Sequence, residues 1–128
     1  RGVTMSALAN IKESKDRASV LLKAFNNACA ELGISKVIAG KIIGVNRSTL
    51  SRKEGIGLGL ESKSSELSLH FIRLYRSLFA ISGGDQGFMR HWLSTPNNAL
   101  GGKPLELVQT VQGLMQTNDY LDAMRGKI

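Results

Sequence analysis

Apolar residues recur every three or four positions along most of this chain, and glycine-rich or polar breaks cut that pattern into helices. Leu21, Ala24, Phe25, Ala28 and Leu32 form one row, with Lys23, Asn26, Asn27 and Glu31 opposite, and Gly33 closes the helix. Residues 1–16, before this row, are polar and weakly patterned, with Ile11 the only large apolar residue after Leu8; they predict a frayed arm or a partial helix.

From Ile34 to Gly55 the sequence ISKVIAGKIIGVNRSTLSRKEG predicts two short helices hinged at Gly44. Ser35 is placed to cap the first, and Val37, Ile38, Ile42 and Ile43 supply its apolar contacts. The small Ala39 and Gly40 allow two helices to cross closely, and Gly44 accepts the left-handed backbone of a turn. Val45 and Leu50 then point inward, Asn46 caps the second helix, and Arg47, Ser48, Thr49, Ser51 and Arg52 stay near its outer face. This is the pattern of a helix-turn-helix. Lys53 stands where such a helix often turns an apolar residue back onto its domain, so an early stop is expected, with Gly55 to end it.

The run Gly55-Ile-Gly-Leu-Gly59, continued by Ser62, Lys63, Ser64 and Ser65, lacks the Gly-Lys-Ser/Thr of a phosphate loop and predicts a flexible hinge. Ser65 is then expected to cap a long helix, Glu66 to about Ile81. Its stripe of Leu67, Phe71, Leu74, Tyr75, Leu78 and Ile81 is widened by Leu69, Ile72 and Phe79. A helix apolar nearly all round cannot hide both flanks in a chain this small. A homodimer is therefore expected, with Phe71, Leu74, Tyr75 and Leu78 as its interface. Beyond Gly83-Gly84 another helix is capped by Asp85 and carries Phe88, Met89, Trp92 and Leu93. Pro104 opens one with Leu107, Val108, Val111, Leu114 and Met115 on its buried side, and a short one over about Asp119 to Arg125 turns Tyr120, Leu121 and Met124 inward. The expected fold is all-α: an arm over 1–16, a helix-turn-helix domain over 17–60, and a small helical domain over 61–128.

Charge sharpens that division. The chain of 128 residues has a net charge of +7, and residues 1–60 hold 10 Lys/Arg against 4 Asp/Glu, whereas residues 61–128 hold 7 against 6. The basic surplus lies with the helix-turn-helix, where a polyanion would bind. Asn46, Arg47, Ser48, Thr49, Ser51 and Arg52 are thus expected in a major groove, with Lys36 and Lys41 on phosphates and Arg47 and Arg52 reading guanine edges or gripping the backbone.

Other chemistry is poorly served. The one cysteine, Cys29, excludes an intramolecular disulfide and suits a small buried residue better than a reactive thiol. His70 and His91 have no ligand-spaced partners, so neither metal nor cofactor is expected. Without paired acid/base groups or a Gly-x-Ser-x-Gly nucleophile, an enzyme is not expected either. No apolar run spans a bilayer, and the start RGVTMSALANIKESKDR lacks a secretory apolar core, so a cytoplasmic protein with no membrane partner is expected.

The most specific residues come late: Trp92-Leu93-x-Thr95-Pro96-Asn97-x-Ala99-Leu100-Gly101-Gly102, Pro104-Leu105-Glu106-Leu107, Thr110, Gly113 and Tyr120-Leu121-x-x-Met124-x-Gly126. With Phe71-Ile72-Arg73-Leu74-Tyr75-Arg76, they make the chain from about Val20 onward resemble the Xre/MbcA/ParS antitoxins, partners of RES-domain toxins. The resemblance implies a homodimer that neutralises an NAD-degrading toxin through its C-terminal domain and represses its own operator through its N-terminal one. Arg125, Gly126, Lys127 and Ile128 are the expected toxin contacts, as a tail closing the toxin's pocket. The alternative is a stand-alone transcriptional regulator whose C-terminal half only dimerises.

Overall fold

The computed structural model describes residues 4–127, and seven helices account for most of them. Helix α1 (Met5–Glu31) starts at Thr4, whose hydroxyl accepts from the Ala7 amide at 3.1 Å. It is continuous through the stretch expected as an arm or partial helix, yet every residue from Leu8 to Arg17 is exposed, so these turns reach past the core. Ala18, Leu22, Phe25, Ala28 and Cys29 give α1 its buried row, and Leu32 and Gly33 (φ 71°) end it.

Helices α2 (Lys36–Ile43) and α3 (Arg47–Arg52) follow, each begun by the expected cap: Ser35 accepts from Ile38 and Asn46 from Thr49. Between them Gly44 takes φ 76°, and the Val45 amide donates to the Gly40 carbonyl at 2.9 Å. A Cβ on Gly40 would overlap the Val45 carbonyl, so this corner closes only with glycine there. Val37, expected as an apolar contact of α2, instead faces outward.

The glycine run after α3 is not an open hinge. Gly57 is buried, and a Cβ on it would overlap the Ala18 backbone, so the segment lies directly on α1. Helix α4 (Lys63–Ser82) begins a turn earlier than expected because Ser62, rather than Ser65, supplies the cap, accepting from the Ser65 amide at 3.1 Å. Helix α4 packs against α1, α2 and α7. The Phe25 and Phe71 rings meet edge to face at 5.6 Å, an arrangement worth about 1 kcal/mol beyond burial. One core cluster therefore crosses position 60, joining residues such as Leu22, Ile43 and Leu50 to Leu74, Leu93 and Leu121.

Helix α5 (Gln86–Ser94) is capped by Asp85 and tied back to the end of α1. Arg90 donates to the Glu31 and Ala30 carbonyls at 3.0 and 3.3 Å, which places a cation at the negative end of α1. A tight turn over 97–102 closes with the Asn97 amide donating to the Gly102 carbonyl, and α6 (Pro104–Leu107) follows.

The C-terminal pattern divides differently from the expectation. The chain breaks at Val108–Thr110, and a single helix, α7 (Val111–Arg125), then runs through the stretch read as two. Thr110 caps α7 by accepting from Gly113, and Gly113 lies so close under the Leu107 carbonyl that no side chain would fit. Val111 and Met124, expected inward, are exposed, because the break rotates Val111 out of the row formed by Leu114, Thr117, Asn118 and Leu121.

Candidate functional site

Three groups of residues were expected to meet partners, and the fold treats each differently. In the helix-turn-helix, Leu50 is wholly buried and anchors α3, leaving Arg47, Ser48, Ser51 and Arg52 exposed on the other side. Thr49 is half-buried, and its hydroxyl accepts from the Arg52 guanidinium at 3.1 Å, which holds that arginine along α3. Asn46 spends its side-chain oxygen on the Thr49 amide at 2.8 Å, so its cap is structural. Lys41 is exposed in the last turn of α2, where a cation suits the helix dipole.

Lys36 sits differently from the others, 3.6 Å from the Glu54 carboxylate beyond the end of α3. Sequence reading missed Glu54 as its competitor; the two are distant in sequence, and only the α2–α3 corner brings them together. Helix α3 stops at Arg52, with Lys53 as its C-cap, as the early-stop reading requires.

The residues named for a dimer interface need correction. Phe71, Leu74 and Leu78 have no exposed surface, because α1, α2 and α7 cover them within the same chain. Of the four, only Tyr75 reaches solvent, beside Phe79 at 5.9 Å between ring centroids. The uncovered part of α4 is a neighbouring strip containing Leu69 (58 % exposed), Ile72 and Tyr75, which with Val20 (66 % exposed) of α1 lines an apolar groove. Both flanks of α4 are apolar, so periodicity could not say which one the chain would cover for itself.

At the C-terminus Arg125 donates to the Ser77 hydroxyl at 3.2 Å, which pins the end of α7 to α4. Gly126 and Lys127 are exposed beyond it, and Ile128 lies outside the described residues. The α4–α7 seam is more polar than its helical pattern suggests. Asn118, wholly buried, donates to the His70 carbonyl at 3.0 Å, and an ion pair joins Arg73 to Asp122. Trp92 stacks on Tyr120 at 6.2 Å, linking α5 to α7, so two members of the late motif touch.

Cys29 is buried, and loss of solvation pushes its thiol up to about 12 against a small opposing pull from Lys36. That favours the protonated, unreactive form. Among the described residues no three His, Cys, Asp or Glu side chains gather as a metal site, and no helix is long and apolar enough to cross a membrane.

Comparison with known proteins divides the chain at α4. No curated protein matches it. Residues 12–73 match the antitoxin Xre-like helix-turn-helix domain, and residues 77–127 match the antitoxin Xre/MbcA/ParS C-terminal toxin-binding domain. Both are families of non-catalytic regulatory domains. The chain is thus similar to an Xre-like helix-turn-helix domain over its front and to an Xre/MbcA/ParS C-terminal domain over its back, the two likenesses meeting within α4.

Proposed function

We propose that this protein is the antitoxin of a type II toxin-antitoxin pair: it neutralises a RES-domain, NAD-degrading toxin through its C-terminal domain and represses its own operon through α3. The observation that carries the reading is the pairing, in one chain, of an exposed basic helix-turn-helix with a domain of the toxin-binding family. The RES partner itself rests on the late-motif resemblance.

On the DNA side, Arg47, Ser48, Ser51 and Arg52 enter the major groove, while Lys41, and Lys36 once it leaves Glu54, hold phosphates. A homodimer presents two such helices to a palindromic operator. The α1–α4 groove is the self-contact that supports it, since Val20, Leu69 and Tyr75 are apolar surface that this chain leaves uncovered. On the toxin side, Arg125, Gly126, Lys127 and Ile128 close the toxin's pocket, with Arg125 first released from Ser77.

Two experiments test the halves separately. In a gel-shift titration with the protein's own promoter, replacing Arg47 and Arg52 with Ala should abolish the shifted band; unchanged affinity would remove α3 from the interface. Mass-resolved pull-down from the native host should recover an NAD-degrading partner, and deletion of residues 125–128 should relieve its inhibition. Recovery of the chain alone would favour a stand-alone regulator, and full inhibition by the truncated chain would rule out the tail.

A further inference from the structure

Helix α1 has three distinct faces. One is the buried row from Ala18 to Cys29, and a second, with Glu13, Val20 and Glu31, lines the groove toward α4. The third carries Lys12, Lys15, Ser19, Lys23 and Asn26, spaced three or four apart and so in one line along the helix. Its neighbours fix where that line lies. Lys15 and Ser19 border the Gly55–Gly59 segment, and Ser19, Lys23 and Asn26 border Glu54 and Gly55, so the row runs beside the chain as it leaves α3. All three lysines are exposed.

Charges on α1 are sorted between these faces. Glu13, Arg17 and Glu31 belong to the α4 side, Asp16 borders both sides, Lys15 and Lys23 border the α3 side alone, and Lys12 continues their line one turn earlier. The remaining carboxylate beside the row, Glu54, is held by Lys36. Lys12 and Lys15 also stand on the turns that reach past the core, where a long rigid partner has access. From Lys12 to Lys23 the helix rises roughly 16 Å, comparable to about five base pairs of duplex.

We propose that Lys12, Lys15 and Lys23 form a second DNA-binding row that grips backbone phosphates beside the groove occupied by α3, adding affinity without sequence choice. This rests on the reading that α3 binds DNA. It gives α1 two duties, with apolar surface of mixed charge turned toward α4 and a row of lysines toward the duplex.

The test uses the full chain and a mixed-sequence DNA duplex, followed by fluorescence anisotropy over a series of salt concentrations. Four proteins are compared: wild type, the Lys12→Gln/Lys15→Gln/Lys23→Gln variant, a Lys63→Gln/Lys103→Gln variant that loses two positive charges elsewhere, and Arg47→Ala/Arg52→Ala. Three lost phosphate contacts should lower the slope of log affinity against log salt by about 2.7, and affinity at about 0.1 M salt by at least tenfold. The distant-lysine variant should keep the wild-type slope. A wild-type slope in the α1 variant, or an equal loss per charge in the distant-lysine variant, would overturn the proposal while leaving α3 in place if Arg47→Ala/Arg52→Ala binds weakly. Wild-type binding by Arg47→Ala/Arg52→Ala would instead remove α3, and the proposed extension with it. Circular dichroism should give all four the same helix content, because every replaced residue is exposed.

Discussion

Two corners of this molecule are closed by the same device and put to opposite use. At the front, Gly40 lets the Val45 carbonyl lie against α2; at the back, Gly113 lets the Leu107 carbonyl lie against α7. Each corner then starts a helix from a side-chain cap, Asn46 for α3 and Thr110 for α7. The front corner turns its next polar residues outward, leaving Arg47, Ser48, Ser51 and Arg52 in solvent, whereas the back corner turns Thr117 and Asn118 inward against α4. A tight corner thus fixes where a helix goes, and the neighbours of that helix decide whether its polar residues stay in solvent or become part of a core.

The largest expected effects come from filling the corners. Gly40→Val and Gly113→Val each force backbone apart and should each cost about 3 kcal/mol in urea denaturation. Because one core cluster joins both corners, each variant should still unfold in one transition. A Gly113→Val protein with the wild-type midpoint would show that the back corner is looser than the front.

Removing the caps is milder and separates function from stability. Asn46→Ala and Thr110→Ala should each lose about 1 kcal/mol, measured the same way, but only Asn46→Ala should weaken duplex binding, since it frays the start of α3. Equal weakening by both would erase the functional contrast between the corners.

Cys29 gives the front core a pH dependence. Its thiol is held protonated by burial up to about 12, whereas the unfolded chain releases that proton around the ordinary 9.0. Its contribution is therefore complete below pH 9 and is lost as pH rises toward 12. Denaturation midpoints of Cys29→Ala should fall less steeply across that range than those of the wild type; parallel curves would show that the thiol makes no difference.

The smallest effect on stability belongs to Glu54→Gln. Its pair with Lys36 is about half exposed, so stability should change by less than about 0.5 kcal/mol. Duplex affinity should nevertheless rise a few-fold in anisotropy titrations because Lys36 is freed; no rise would remove Lys36 from the phosphate contacts.

Much of this was legible locally. Ser35, Asn46, Asp85 and Pro104 mark helix starts, and Gly33, Gly44 and Gly83 mark ends, because caps and left-handed turns involve residues only a few positions apart. Hydroxyls at 62 and 65 both stand before the same apolar row, and only the backbone's path selects Ser62 as the cap. The break before Thr110 is hidden for a related reason: an apolar row from Leu107 to Met115 continues across it, and Gly113 shows its purpose only once the Leu107 carbonyl is beside it.

The sequence by itself determined α2 and α3, the basic front and the Gly44 turn between the two helices, because each depends on neighbours along the chain. Only the tertiary structure decided that Phe71, Leu74 and Leu78 are core rather than interface, that Gly57 is packed on α1, and that Glu54 reaches Lys36. Those outcomes depend on which distant segments meet. An apolar face gains the same free energy from a helix of its own chain as from a second molecule, so its pattern alone does not reveal which will cover it.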